Sequence, residues 1–164
     1  MATITNPYAG PLTGRDPLPV LNETPGRLQE ASDRLGAAGL EKSLAPGKWN
    51  VGKIFCHLAD CEIAFGYRWR QTVAEPHHKV QPFDQDLWAG QYGSLSAYRA
   101  LDTFCTLREW NYAWLAALPK DAFSKPATHP ERGELTLQIL VETAAGHDLH
   151  HLAQINQILA REKL

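Results

Sequence analysis

From residue 135 to about 161 no proline interrupts the chain, and residues on one helical face recur in steps of three and four: Leu137, Leu140, Ala144, His147, His151, Gln154, Ile158. Such a stripe predicts a long helix with one side turned into a bundle. It begins and ends apolar, yet imidazoles and an amide occupy its middle, where packing alone would place leucine. Both the fold and the chemistry of this chain follow from those two facts.

A long amphipathic helix needs helical partners, and the rest of the chain supplies three. Thr24 and Pro25 read as a helix cap and first position, followed by Leu28, Ala31 and Leu35, with Gly36 and Gly39 weakening the end. LAPGKWN reads as a turn, and Asn50 as the cap of a second helix over 50–73. A third spans 94–118, with Leu95, Tyr98, Leu101, Cys105 and Leu115 near one side and Pro119 as its stop. No alternating strand pattern is evident, so the expected fold is all-α, a four-helix bundle with crossover connections. The segments at 74–93 and 120–133 are longer than an up-down bundle needs; at least one should cross the bundle or shape a pocket. Pro7, Pro11, Pro17 and Pro19 mark residues 1–19 as an extended arm, leaving 20–164 as a single domain.

His147 and His151 are four residues apart, so their rings lie one turn from each other on one face. His150 is rotated toward the edge of that face. On the second helix the inward stripe runs through Ile54, His57, Cys61, Ala64 and Arg68. Imidazoles buried side by side are costly unless their nitrogens are satisfied, and protonating one opposes its neighbours. A cation removes both problems, because neutral imidazole is a good ligand for a divalent metal. His57 facing His147 and His151 gives three nitrogens with an open position, the pattern of catalytic rather than structural zinc. Three nitrogens suit zinc best, with nickel next. Cys61 is the competing ligand. Glu62 and Asp148 are candidates to orient a ring nitrogen or act as base. Arg68 and Gln154 are candidate substrate contacts, although Arg68 paired with Glu62 or a surface acid is the plainer expectation. His77 and His78 are expected in a solvent-facing loop, His129 in a turn, and the five tryptophans in packing.

Net charge is -2 over 164 residues, which lacks the basic footprint of a nucleic-acid binder. No apolar run approaches the roughly 20 residues of a membrane span. Three cysteines without a framework spacing suit reduced thiols, and MATITNPYAGPLTG lacks the pattern of a secretion signal; a cytoplasmic location is expected.

Three stretches carry a family likeness: PGKWNVGKIFCHLADCE, with Trp49, His57, Asp60 and Glu62; FDQD at 83–86; and GHDLHHLAQI at 146–155. They resemble the DinB-like (DinB/YfiT-like) superfamily of small bacterial metal-binding proteins, in the branch related to thiol-dependent transferases. The resemblance implies a bundle of unusual crossover topology, frequent homodimers, and a three-histidine site for zinc or nickel. His57 would be the ligand from the second helix, and His147 and His151 the pair from the fourth. It also implies a small-molecule substrate and activation of a low-molecular-weight thiol such as bacillithiol or mycothiol. The chain departs from that pattern after His151, with Leu-Ala-Gln where many such relatives have Arg-Gly-Gln. A thiol S-transferase type of enzyme is thus the leading expectation. The alternatives are a hydrolase activating water at the same site and a non-catalytic metal-binding stress-response protein.

Overall fold

The computed structural model describes residues 6–161. Four long helices make up its body: α2 (Pro17–Leu40), α3 (Val51–Ala74), α5 (Ala97–Ala116) and α6 (Leu137–Arg161), with short helices α1 (Ala9–Leu12) and α4 (Gln85–Ala89) between and before them. Helices α2 and α3 each pack on both α5 and α6, so each long helix lies diagonally across from a sequence neighbour. This is a four-helix bundle with crossover connections. No helix among the described residues is long and apolar enough to cross a membrane.

The caps explain most boundaries. Asn50 accepts from the Lys53 amide at 2.8 Å and starts α3 as anticipated, and Ser96 starts α5. The first helix differs from the sequence reading. Asp16 is its cap, accepting from the Leu18 amide, and Pro17 is its first residue, so Thr24 and Pro25 lie inside it. Pro25 is tolerated there because the one carbonyl it leaves without an amide finds another donor: that of Leu21 accepts from Arg108 at 3.1 Å. Gly36, at φ 59°, kinks the helix before its end.

The expected extended arm is corrected in the same region. Residues 1–5 lie outside the described residues, but beyond them the chain turns through α1, which packs on α6. Gly146 makes that approach possible, since a Cβ there would collide with the Tyr8 carbonyl.

The connections also hold strands that the periodicity did not reveal. β1 (His78–Lys79) pairs in parallel with β2 (Pro126–His129), which pairs antiparallel with β3 (Gly133–Thr136). Strands of two to four residues are too short to display alternation. His78 is therefore buried in β1 rather than solvent-facing, and His129 is buried in β2 rather than simply part of a turn. Leu95 and Tyr98 precede or open α5 and are exposed, as is Trp110, while Trp69 is wholly buried. The core divides in two. Trp69, Leu115, Leu137 and Val141 gather toward the sheet; Phe55, Leu58, Phe104 and Ile155 gather at the other end. His57, His147 and His151 sit where the two halves meet.

Candidate metal centre

Helix α3 contributes His57, and α6 contributes His147 and His151, one turn apart. All three are buried, and one ring nitrogen from each lies within 4.8 Å of the others. His147 Nε2 is 2.9 Å from His57 Nε2 and 3.1 Å from His151 Nε2. Two nitrogens bound about 2.1 Å from one ion at a right angle would be about 3 Å apart. The donor set therefore fits a single divalent ion.

The protons support the same fit. His151 Nδ1 donates to Gln154 Oε1 at 2.8 Å, because an amide oxygen only accepts, which leaves its Nε2 lone pair for the centre. Burial holds the His57 ring down to about 4 and that of His151 down to about 3. His147 is pushed well below its ordinary value, by burial first and then by the neighbouring imidazoles. Three neutral rings thus converge on one point at neutral pH, and a single cation would satisfy all three nitrogens at once. Trp49 packs against His57 at 5.0 Å between ring centroids, and Tyr8 and Phe65 meet His147 edge-on at 5.1 and 5.9 Å. Cys61 Sγ touches the same cluster, 3.5 Å from His57 Nε2 and 3.9 Å from His147 Nε2, with burial pushing its thiol well up.

Glu62 and Asp148 are drawn elsewhere. Arg108 Nη1 donates to Asp148 Oδ2 at 2.6 Å, and its Nη2 to Glu62 Oε2 at 2.7 Å and to Asp148 Oδ1 at 3.2 Å. Asn111 completes Glu62, donating to Oε1 at 2.9 Å. Among the described residues neither carboxylate hydrogen-bonds an imidazole, so the expected orienting role falls to Gln154, on His151. Gln154 stands behind the His151 ring and also borders a cavity beside it. Arg68 does not pair with Glu62; its Nη2 donates to the Gln81 carbonyl at 2.7 Å, and its guanidinium lies 5.5 Å from the Phe83 ring centre. His150 is exposed on the edge of the face, in contact with Gln154 at 3.2 Å.

Two cavities meet at the histidines. The first, about 230 Å³, is bordered by His57, His147, Cys61, Arg68, His129 and Arg132. The second, about 520 Å³, is bordered by His57, His151, Trp49, Lys48 and Gln154. Tyr8 and Gln85 line both. The long segment between α3 and α5 thus shapes the pocket, as its length suggested.

Sequence reasoning missed Tyr8, hidden in a proline-rich stretch, and the Arg108–Asn111 pair. The latter had a readable signal. Leu101, Phe104, Arg108, Asn111 and Leu115 follow the same three-four steps as the histidine stripe, and all five are buried.

A four-helix bundle with three inward imidazoles beside a cavity defines a class of metal-binding bundle. Residues 21–155 match the family model of the DinB superfamily, and the chain belongs to that family. It is 27% identical over 149 residues to the Bacillus subtilis protein named "Putative metal-dependent hydrolase YfiT", covering 87% of this chain and 82% of that one. A protein of Oceanobacillus iheyensis named in the same way is 25% identical over 82% of this chain and 78% of its own. The fold is similar to the solved structure of YfiT from Bacillus subtilis, described as a probable metal-dependent hydrolase with an unusual four-helix bundle topology. The TM-score is 0.82 at 23% identity, over 90% of this chain and 86% of that one. It is also similar to a mycothiol-dependent maleylpyruvate isomerase, with a TM-score of 0.67 at 12% identity over 88% and 65% of the two chains.

Proposed function

We propose that this chain is a divalent-metal-dependent enzyme of hydrolytic type, holding zinc or nickel through His57, His147 and His151. The observation that carries this reading is the convergence of three buried, neutral ring nitrogens, with neighbours 2.9 and 3.1 Å apart, at the wall of a cavity. When bound, a divalent ion supplies Lewis acidity and lowers the pKa of a nucleophile that shares its coordination sphere. The protein's part is to fix the donors and leave room. Gln154 sets the tautomer and tilt of His151. Tyr8, Trp49 and Phe65 shield the ring faces from water. Glu62 and Asp148, in this reading, hold α3 and α6 against Arg108 and move no proton. Hydrolysis is also the activity named in the relatives from Bacillus subtilis and Oceanobacillus iheyensis.

A second reading keeps the site and replaces water by a low-molecular-weight thiol. The cavity of about 520 Å³ against His57 and His151 favours it, since a nucleophile much larger than water has space there. Both readings take a small-molecule substrate and no nucleic acid, and both extend to a cytoplasmic homodimer. Cysteines that are free in the fold support the compartment.

Elemental analysis of protein purified without an affinity tag tests the centre, with a His147→Ala/His151→Ala variant alongside. About one equivalent of zinc or nickel, lost in the variant, is expected. No metal after reconstitution would overturn the proposal. Ester and amide panels, set against thiol-plus-electrophile panels, then separate the two nucleophiles.

A further inference from the structure

Arg68 and Arg132 line the cavity that reaches His57 and His147, and among the described residues neither pairs with a carboxylate. That is unusual for half-buried guanidinium groups. Losing hydration without gaining a counter-ion is costly, and Arg108 in the same protein shows the normal remedy of two acids. The two cations are also close enough that Arg132 opposes the charge on Arg68 and on His129. Glu131 stands at the rim, exposed, with its amide donating to His129 Nδ1 at 3.1 Å. The cavity wall therefore carries two positive charges against one rim acid in a chain of net charge -2. Phe65 and Phe83 line the same cavity as an apolar wall.

We propose that this cavity contains an oxyanion subsite. In it Arg68 and Arg132 receive the carboxylate or phosphate of a small substrate, whose flat apolar body lies on Phe65 and Phe83 and whose reactive end faces His57 and His147. Guanidinium forks match such oxyanions in shape as well as charge. Arg68 is already aimed, because the Gln81 carbonyl holds one of its nitrogens and its guanidinium sits over the Phe83 ring, 5.5 Å from the centre. A volume of about 230 Å³ admits a metabolite-sized acid. The inference rests on the proposed metal-dependent reading for what happens at the far end of the cavity, while the subsite itself needs no metal.

Calorimetric titration tests it, using zinc-loaded protein and chelator-stripped apoprotein of measured zinc content. The probes are benzoate, phenyl phosphate and the neutral benzamide. Benzoate or phenyl phosphate should bind both forms, benzamide neither, and the stronger anion identifies carboxylate or phosphate as the group read. Arg68→Met and Arg132→Met should each weaken anion binding at least about tenfold, the usual loss for a charge-assisted hydrogen bond. Both should retain zinc and the wild-type melting temperature. Arg68→Lys, which keeps the charge and loses the fork, should fall between and guards against a misfolded variant. Glu131→Gln should tighten binding. Benzamide binding as well as benzoate, arginine variants that bind anions unchanged, or no anion binding to either form would each overturn the subsite. Binding only to the zinc form, insensitive to both arginines, would overturn it while leaving the metal reading intact. Arginine-dependent binding in a protein that takes up no zinc would uphold the subsite and sink the metal reading.

Discussion

Two buried polar clusters both draw on α3 and α6, the first with Arg108 and Asn111 of α5 besides, and they are opposites. Around Arg108 every charge has met another: a guanidinium that is 1% exposed bonds two carboxylates and a backbone carbonyl, and Asn111 closes the remaining carboxylate oxygen. Around His147 three ring nitrogens crowd together with no cation among them, and its own Nδ1 has no partner. His147 and Asp148 are consecutive, about 100° apart around α6, so one helix feeds both clusters on different sides. Burial penalises both sets of groups. Only the first balances its charges, although Arg108 Nε has no hydrogen-bond partner, and it reads as a clamp between α2, α3, α5 and α6. In the proposed reading the second is completed by a divalent ion. A buried polar cluster points to a ligand when several ring nitrogens converge and no cation stands among them.

The comparison breaks most visibly at Arg108. Arg108→Met should destabilise the protein by about 3–5 kcal/mol, because two buried carboxylates lose their cation; urea unfolding measures this. A loss below about 1 kcal/mol, the range of exposed pairs, would mean that the cluster is not a clamp.

Acid should strike the other cluster first. In the metal-free protein, His57 and His151 are held down to about 4 and about 3, below an unfolded value near 6.5. The unfolded chain binds more protons in that window, so the histidine contribution is complete above about pH 7 and is lost as pH falls from about 6.5 toward 4. The expected loss is several kcal/mol, read from melting temperatures across pH with and without zinc. Zinc should flatten the curve near pH 6, and an apoprotein curve that is flat from pH 7 to 5 would contradict the burial of neutral rings.

The smallest effect separates two neighbours on one helix. Gln154→Ala should weaken metal binding by about 10–100-fold by freeing the His151 ring. His150→Ala, on an exposed residue, should change stability by no more than about 0.5 kcal/mol and leave metal content near one equivalent. Competition with a zinc-sensitive dye checks both, and equal losses would remove the orienting role given to Gln154.

The sequence made the helices and the histidine triad legible because both are periodic. A residue's face on a long helix follows from counting, and polar residues on an apolar stripe stand out for that reason. His57, His147 and His151 were found so, and Arg108 and Asn111 could have been by the same count along α5. Counting fails where the backbone leaves the helix. Tyr8 reaches the site only because Gly146 lets a proline-rich segment pack against α6. His78 and His129 are buried by strands too short for a pattern. Nor does a helix face name its partner. That Glu62 and Asp148 would turn to Arg108 rather than to the histidines depended on which helices became diagonal neighbours. By itself, then, the sequence determined which residues would be turned inward, since periodicity is local. Only the tertiary structure decided which of them would meet, because the distances that make a salt bridge or a metal site are set by packing between elements remote in the chain.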